Sequence, residues 1–373
     1  MIKKLITLFL LICSVGIFAQ EKLRIKGEIS GIDKEAKVML SGDVEEVEII
    51  MNGDKFEVEI ELKMAPSNVY LTAINGSDFK YTTFFVGNET IELKGSIDDF
   101  PGNIRAQNSK YDDVRYEEFI LNKDLNEQMR KLQEEAMTLG QEGMSRDSLY
   151  SIYMNKTEPL GKMTKVLNVM NENTFDFLMK NINTDYGRYI VKFSTEQFTT
   201  EQFKLLLGQV EPQFKNTKEI QYIQVLLDVK PLNVGDSYYD FKALDMEGKD
   251  LKFSDFFKGK YVLLDFSTFN CGYCQMAAPN TAKLEEDLKD KLSVVTYYVD
   301  NNLDQLKQYY ALKGNKGNII WSEDGTLSST IAMYRQTVTP RYALFDPKGK
   351  LVENFEGMQD EGFGDKLQEL MNK

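Results

Sequence analysis

A run of apolar residues leads directly into a pair of cysteines, and this junction restricts the possible fold more than any other segment of the chain. Residues 261–266 are mostly apolar, as in a buried strand. Residues 267–270 separate them from Cys271-Gly272-Tyr273-Cys274, and a helical pattern then extends to about Lys289. The order of strand, loop and helix places Cys271 at a helix N-terminus, where unpaired backbone N–H groups and the helix dipole favour a thiolate.

The spacing of these two cysteines suits dithiol exchange. Cys274 follows Cys271 by one helical turn, so its sulfur can resolve a mixed disulfide formed at Cys271. The whole chain has three cysteines and no histidine. Without histidine, Ser-His and Cys-His catalysis and histidine-ligated metal sites are excluded, and too few cysteines are present for a tetrahedral zinc site. A structural disulfide is an alternative, although so small a loop removes little entropy from the unfolded chain.

The third cysteine, Cys13, lies in a segment with the pattern of a secretory signal peptide. Two lysines near the start precede an apolar run over residues 5–18 and then Ala19, which predicts a signal peptide over residues 1–19. The run is shorter than the roughly 20 apolar residues of a membrane span, but an uncleaved anchor is an alternative. Lipidation of Cys13 is a second alternative. It is disfavoured because the preceding residue, Ile12, is bulky, whereas a lipoprotein signal has a small residue there. We therefore expect an exported protein of the periplasm, either free or anchored to the membrane.

Residues 20–105 contain short runs of alternating apolar and polar residues, which are typical of strands. They predict an all-β N-terminal domain, a small antiparallel sandwich or barrel. Between two of the runs, Asn52-Gly53 is the sequence typical of a tight hairpin. The domain has no evident cluster of nucleophile, base or metal ligands, so a binding or spacer role is favoured. The predicted strands cover residues 23–29, 37–41, 47–51, 56–62, 69–74, 82–86 and 90–95.

Residues 106–230 are predicted to form a helical connector. Over residues 121–139 apolar side chains recur at spacings of three and four among charged ones, as on one face of an amphipathic helix. Further helices are predicted over residues 145–171, 174–180 and 200–228, with Pro212 at a break or a helix start. The apolar face can pack on neighbouring domains, on a second copy or within the connector itself.

Strands and helices alternate in residues 231–373, which predicts an α/β domain with βαβ units. Beside the strand and helix at the cysteines, we predict a hairpin, a strand, a helix, a second hairpin and a final helix. These cover residues 239–251, 292–299, 303–312, 342–355 and 364–371.

Four features of residues 232–373 together resemble the thioredoxin superfamily, and within it the TlpA-like and ResA-like periplasmic thiol-disulfide oxidoreductases. They are the apolar strand 261–266, the Cys-Gly-Tyr-Cys site, Pro279 five residues after Cys274, and Thr339-Pro340 before a strand. The resemblance implies a thioredoxin-like domain with a central mixed sheet flanked by helices, and redox chemistry without a cofactor or a metal. The N-terminal strands resemble, more weakly, the uncharacterised β-rich domain that often precedes such enzymes.

The resemblance also implies roles for individual residues. Pro340 is expected to be a cis-proline that faces the cysteines and, with Thr339, lines the groove for the substrate chain. Gly272 and Tyr273, between the cysteines, are expected to contact the same substrate. Asp265 stands where thioredoxins carry a buried carboxylate that exchanges protons with the second cysteine; an inert buried aspartate is the alternative.

Three positions depart from the pattern of the family, and a fourth, Pro279, is expected to have a structural role. Thr296 stands where thioredoxins usually carry a lysine. The family pattern therefore does not define the route by which a proton moves between Asp265 and the second cysteine. Asn270 replaces the tryptophan common before the first cysteine, and Tyr273 replaces the proline common before the second. These two changes should tune the redox potential and the choice of partner. Pro279 is expected to kink the helix, a structural role.

The resulting prediction is a periplasmic disulfide reductase that acts on exported cysteine-containing proteins and receives electrons from a membrane thiol donor. The net charge of −13 argues against nucleic acid as a partner, because such proteins gather basic residues. A peroxiredoxin-like peroxide reductase is an alternative, since Thr268 and Cys271 match half of a Pro-x-x-x-Thr-x-x-Cys motif. Leu264 stands in place of its proline, which favours dithiol exchange. A partner-binding module with a thioredoxin fold is the other alternative.

Overall fold

The computed structural model of the protein describes residues 22–42, 46–62, 64–359 and 362–372. The predicted signal peptide and Cys13 lie outside these described residues. The chain divides into two compact units, Met1–Gly187 and Arg188–Lys373. This division falls within residues 106–230, so the segment predicted as a connector supplies helices to both units. Among the described residues, no helix has the length and apolar character needed to cross a membrane.

The strands of the first unit follow the predicted runs closely. They are β1 (Leu23–Ser30), β2 (Lys37–Gly42), β3 (Val47–Ile49), β4 (Lys55–Ile60), β5 (Ser67–Asn75), β6 (Asp78–Val86), β7 (Thr90–Ser96) and β8 (Ala106–Gln107). They form two four-stranded sheets, in the orders β4-β1-β7-β8 and β3-β2-β5-β6. Apolar side chains from both sheets share one core, because alternate residues of each strand point to the same side. The β-rich N-terminal region expected from the sequence is therefore confirmed.

The Asn52-Gly53 segment forms a turn, but the predicted hairpin is wrong. Asn52 and Lys55 form an isolated bridge across the turn, and Gly53 has a φ of 62°. The strands on either side nevertheless belong to different sheets, because β3 pairs with β2 and β4 pairs with β1. Ile49 and Phe56 both bury their side chains in the shared core, so the chain crosses from one sheet to the other at this turn. The sandwich is also not wholly antiparallel, since β1 and β7 run parallel.

The helices of residues 106–230 differ from the prediction in their breaks. They are α1 (Asp112–Gln141), α2 (Arg146–Leu149), α3 (Lys162–Asn181), α4 (Asp185–Val191), α5 (Thr200–Gln209) and α6 (Lys218–Asp228). A π-helical turn, Tyr150–Met154, follows α2, and the chain then breaks before α3 around Pro159, which lacks a backbone donor. The break expected at residues 171–174 is absent, because α3 continues and buries Phe177 and Leu178 at its C-terminal end. Pro212 lies in a short 3₁₀ turn between α5 and α6.

The second unit contains a seven-stranded mixed sheet in the order β10-β9-β13-β12-β11-β14-β15. Its strands are β9 (Lys242–Leu244), β10 (Asp250–Lys252), β11 (Tyr261–Ser267), β12 (Leu292–Tyr298), β13 (Asn318–Trp321), β14 (Arg341–Phe345) and β15 (Leu351–Glu356). Its remaining helices are α7 (Gly272–Asp287), α8 (Leu303–Leu312), α9 (Ser329–Met333) and α10 (Phe363–Met371). Central strand β11 is parallel to β12 and antiparallel to β14. This confirms the predicted thioredoxin-like α/β domain.

Each face of the central strands has a distinct character. On one face, rings from β11, β12 and β14 pack in an aromatic cluster with Phe253 and Tyr334. On the other face lie two apolar clusters, one around Leu263 and one around Cys274. Asp265 is on this second face, because it alternates with Leu263 along β11. The only acidic residue of β11 is therefore held in the interior, close to the end of the strand that leads to the cysteines.

Candidate active site

Cys271 is the N-cap residue of α7, as its position after the strand predicts. Its backbone is extended, with φ −115° and ψ 111°, and its Sγ accepts a hydrogen bond from the backbone N–H of Cys274 at 3.2 Å. Cys271 is half-buried and Cys274 is fully buried, and both are free thiols. The first cysteine is thus partly exposed at a helix N-terminus, and the second is fully buried one turn further along the helix.

Cys274 lies in an apolar and aromatic environment. It packs in one cluster with Leu306, Tyr298, Tyr309 and Trp321, the last two from α8 and β13. Burial, together with the hydrogen bond to Cys271, raises the pKa of the Cys274 thiol to about 12. At neutral pH this sulfur is therefore a thiol that solvent does not reach, and it needs a base to become a nucleophile.

The segment expected to hold the substrate lies against Cys271. The Cys271 thiol donates to the carbonyl oxygen of Thr339 at 3.4 Å, and the Thr339–Pro340 peptide bond is cis, as the resemblance implied. Gly272 is exposed, and Tyr273 is 63 % exposed. The structure thus brings Thr339 and Pro340 to the cysteines and leaves both intervening residues open to a partner.

Asp265 is buried in the middle of the sheet with its carboxylate hydrogen-bonded on both oxygens. Ser267 donates to Oδ1 at 2.6 Å and Thr296 donates to Oδ2 at 3.0 Å. Burial raises the pKa of Asp265, against the opposing effects of the Lys313 charge and the two hydroxyl groups. The carboxyl group therefore holds a proton more readily than an exposed aspartate does, which suits a group that takes one from a thiol.

Lys313 is a residue that the sequence analysis missed. It caps the C-terminus of α8, is 2 % exposed, and donates from Nζ to Thr296 at 3.0 Å and to Thr281 at 2.9 Å. Burial lowers its pKa, against the charges of Asp265 and Glu285. Thr296 therefore links a buried ammonium to a buried carboxylate by accepting from one and donating to the other. A lysine at the end of a helix is common on surfaces, so the sequence pattern did not distinguish this one.

Two buried tyrosines have pKa values that depend on the ionisation of both Asp265 and Cys274. Tyr342 lies directly across from Asp265 in the register between β11 and β14. Burial first, and then the negative charges of Asp265 and Cys274, raise the pKa of Tyr342. Burial and the same two charges raise the pKa of Tyr309 as well. The carboxylate and the second sulfur thus act on the same phenols from within the same face of the sheet.

Asn270 and Thr268, in the loop before Cys271, have defined hydrogen-bond partners. Asn270 exchanges two hydrogen bonds with Gln305 of α8, at 3.0 and 3.1 Å, which joins the active-site loop to that helix. Thr268 donates to Asp300 and accepts from the backbone N–H of Asn270 at 3.2 Å. The threonine of the half-matched peroxiredoxin motif thus directs its hydroxyl proton to Asp300. Pro279 lies within α7, which continues through it to Asp287.

Within residues 22–42, 46–62, 64–359 and 362–372, no group of three or more histidine, cysteine, aspartate or glutamate side chains is arranged to hold a metal ion.

Residues 233–369 match the Redoxin family. This match confirms the predicted relation of the C-terminal domain to thioredoxin-like oxidoreductases, and it leaves residues 1–232 outside. No curated protein matches the chain.

Solved structures resemble the same part of the chain. The thioredoxin domain of a thiol-disulfide oxidoreductase from Bacteroides vulgatus is 23 % identical, with a TM-score of 0.35 over 38 % of this chain and 99 % of that one. A putative thiol:disulfide interchange protein DsbE from Chlorobium tepidum is 23 % identical, with a TM-score of 0.34 over 38 % of this chain and 96 % of that one. A secreted disulfide oxidoreductase from Mycobacterium tuberculosis is 16 % identical, with a TM-score of 0.31 over 35 % of this chain and 94 % of that one.

Proposed function

We propose that this chain, whose residues 233–369 form a thioredoxin-like oxidoreductase domain of the Redoxin family, is a periplasmic disulfide reductase that acts through Cys271 and Cys274. The observation that carries the proposal is the asymmetry of the two thiols. Cys271 is open at a helix N-terminus and contacts the carbonyl of Thr339, whereas Cys274 is fully buried one turn behind it. This is the arrangement that a nucleophilic and a resolving sulfur require.

The first half of the reaction takes place at Cys271. Its thiolate attacks a substrate disulfide, a sulfur–sulfur bond forms to Cys271, and the other substrate sulfur leaves as a thiolate that takes up a proton. Backbone N–H groups at the start of α7, including that of Cys274 at 3.2 Å, stabilise the attacking thiolate. The carbonyl of Thr339 lies beside the same sulfur, where an extended substrate backbone can be held during the exchange.

The second half requires deprotonation of Cys274. Its thiol proton passes to Asp265, whose raised pKa lets the carboxylate accept it within the buried site. The Cys274 thiolate then attacks the sulfur of Cys271, a disulfide closes between them, and the second substrate sulfur leaves as a thiolate that takes up a proton. Two electrons have passed to the substrate, which is released as a dithiol. Thr296 donates to the second oxygen of Asp265 and itself accepts from the ammonium of Lys313.

The proposed compartment is supported by the sequence pattern of residues 1–19, and the proposed direction of exchange and partners are supported by the family resemblance alone. The pattern of residues 1–19 supports export, free or membrane-anchored, to a compartment in which proteins form disulfides. A reductase there acts on exported cysteine-containing proteins and is restored by a membrane thiol donor.

Trapping of partners tests the proposed roles of the two sulfurs. We expect a Cys274→Ser variant to accumulate disulfide-linked complexes through Cys271, because the resolving sulfur is absent. A Cys271→Ser variant is the matched control and should form none. If both variants retain the same non-covalent partners and neither forms a complex sensitive to reductant, the protein is a binding module and the proposal fails. Hydrogen peroxide consumption that depends on Cys271 would instead indicate the peroxidase alternative.

The reduction potential of the Cys271–Cys274 pair tests the direction of the reaction. Equilibration in glutathione buffers should give a value near about −270 mV, as for thioredoxin. A value near about −120 mV, as for DsbA, would make the protein an oxidant.

A further inference from the structure

A cavity of about 460 Å³ adjoins the segment that faces Cys271. Its walls include Val338 and Thr339, which precede the cis-proline, and Val299, which follows β12. A further wall is formed by residues 192–197, which precede the Redoxin-matched region in the chain. The thioredoxin-like domain alone therefore does not complete this cavity.

Lys192 lines the cavity as a half-buried cation. Its Nζ donates to the hydroxyl of Thr326 at 3.2 Å, and it lies 4.7 Å from the centre of the Phe193 ring. No carboxylate of the described residues is within ion-pairing distance of it. Burial lowers the pKa of Lys192, although the negative charges of Glu219 and Asp300 act in the opposite direction and raise it.

Two further features of the cavity point to a bound polypeptide. Phe193 is 58 % exposed and Val338 is 45 % exposed, so apolar surface lies open at the rim beside Thr339. Gln336 also lines the cavity and is 7 % exposed. Its amide nitrogen donates to the carbonyl of Val338, but its Oε1 accepts no hydrogen bond from the described residues. A backbone N–H of a bound chain can satisfy this acceptor.

We propose that this cavity is a specificity pocket for an aromatic side chain close to the reactive cysteine of the substrate polypeptide. The proposal rests on the function proposed above. An aromatic ring buries the exposed apolar rim, packs against Phe193 and places its face towards the ammonium of Lys192. Its backbone lies at Thr339, where the substrate cysteine meets Cys271.

An acidic side chain is a poorer occupant despite the presence of Lys192. Glu196 lines the same cavity, and the charges of Glu219 and Asp300 already act on the lysine. A carboxylate would bring a further negative charge into this group, and it would leave the apolar rim uncovered. An aromatic ring uses the cation without adding charge.

The test uses reduced full-length protein and short peptides whose single cysteine carries nitrothiobenzoate as a mixed disulfide. Attack by Cys271 on the peptide sulfur releases the coloured nitrothiobenzoate thiolate, so its release gives the rate of exchange. The peptides differ only near the cysteine, with phenylalanine, alanine or glutamate at one or two positions on either side. We expect the phenylalanine peptide with the aromatic residue correctly placed to react about 3- to 10-fold faster than the alanine peptide.

Substitutions then assign the preference to the cavity. Phe193→Ala should reduce the ratio of the phenylalanine and alanine rates towards one, and Lys192→Met should reduce it in part. Leu205→Ala is the matched control, because Leu205 is similarly exposed on α5 at 56 % but does not line the cavity. It should leave the ratio unchanged.

The outcomes separate the two proposals. If the peptides react but show no aromatic preference, or glutamate is preferred, the pocket proposal is overturned and the proposed function stands. The pocket proposal is also overturned if Phe193→Ala and Leu205→Ala give equal ratios of the phenylalanine-peptide rate to the alanine-peptide rate. If no peptide disulfide is exchanged by the unmodified protein, the proposed function itself fails.

Discussion

At the scale of single residues, the two cysteines have been given different chemistry by their surroundings. A single helical turn separates a sulfur that a large substrate can reach from one that solvent does not reach. Burial keeps the second sulfur protonated, with its pKa raised to about 12. Cys274 therefore does not react with other disulfides or oxidants before a mixed disulfide has formed at the neighbouring Cys271.

Alkylation at pH 8 should modify Cys271 and spare Cys274 in the folded, reduced protein. The reason is that Cys274 is both buried and protonated at this pH. For protein prepared without residues 1–19, and therefore without Cys13, mass spectrometry should show one added group in the unsubstituted protein and in Cys274→Ser, and almost none in Cys271→Ser. Unfolding in urea is the control and should expose both thiols. Equal alkylation of the two single-cysteine variants in the folded state would contradict the assignment.

The buried carboxylate of Asp265 and the ammonium of Lys313 form a second residue-scale feature. Thr296 connects them, so each charge is compensated in a region that water does not reach. The pKa of Asp265 is raised, so its contribution to stability is most favourable at acidic pH and is lost as the pH rises through that raised pKa. Lys313 limits this loss because its charge opposes the effect of burial.

Lys313→Met should therefore destabilise the second unit more at pH 8 than at pH 5. At pH 8 we expect a loss of about 2–3 kcal/mol, because the Asp265 carboxylate is left without a compensating charge. The double variant Lys313→Met/Asp265→Asn should recover at least about 1 kcal/mol of this lost stability, because it no longer contains the uncompensated carboxylate. Urea unfolding followed by the fluorescence of Trp321, the single tryptophan of the chain, reports on the second unit.

Lys316→Met provides the control for this substitution. Lys316 pairs with Glu286 at the surface, where both side chains are more than half exposed, so its loss should have little effect at either pH. An equal loss of stability for the Lys313 and Lys316 variants would show that Lys313 is not coupled to Asp265.

At the scale of elements, the loop before the cis-proline is held by two arginines. Arg341 donates to the carbonyls of Tyr334 and Arg335, at 3.0 and 2.6 Å. Arg335 in turn donates to the carbonyls of Leu226 and Val229 at the C-terminal end of α6. A helix from outside the Redoxin-matched region is thus joined to the loop that leads to Thr339.

Arg335→Gly should loosen this connection. Arg335 has a φ of 52°, so glycine removes the side chain and also relieves the backbone strain that arginine bears at this position. We expect faster amide hydrogen exchange over residues 218–229 and a loss of about 1–2 kcal/mol of stability. Arg335→Ala is the comparison and should cost about 1 kcal/mol more than Arg335→Gly, because alanine keeps the backbone strain that glycine relieves. Unchanged exchange over residues 218–229 would show that the arginine does not hold α6.

At the scale of the whole molecule, the unit that carries the cysteines begins well before the domain recognised by the family match. It starts at Arg188, whereas the match starts at residue 233. Helix α6 buries Ile220, Tyr222 and Ile223 within this unit. The segment before residue 233 is therefore part of the redox unit in structure, and through residues 192–197 it also reaches the proposed substrate pocket.

A fragment of residues 188–373 should fold and exchange a small disulfide of mercaptoethanol, because it retains the whole unit. A fragment of residues 233–373 should be less stable by at least about 3 kcal/mol, since burial of each large apolar side chain of α6 contributes about 1.5–3 kcal/mol. Urea unfolding followed by Trp321 fluorescence compares them. Equal stability of the two fragments would mean that the helices before residue 233 are not part of the unit.

The sequence by itself determined the features that depend on neighbouring residues. Alternating or continuous apolar runs predicted most strands of the first unit and the central strand β11 of the second, and the order of strand, loop and helix placed Cys271 at the start of α7. Both follow from the local geometry of the backbone, in which the period of a pattern sets the element and its buried side. Family resemblance added the cis bond before Pro340, which the structure contains.

The tertiary structure alone decided what depends on residues that are distant in the chain. Asn52-Gly53 is a turn in either case, but pairing with β2 and β1 placed its flanking strands in different sheets. The cation that opposes the burial of Asp265 comes from the end of α8, since only the packing of that helix brings Lys313 to Thr296. Residues 192–197 likewise line one cavity with Thr339 only in the folded unit. Such contacts leave no local period in the sequence, because they arise from the packing of complete elements.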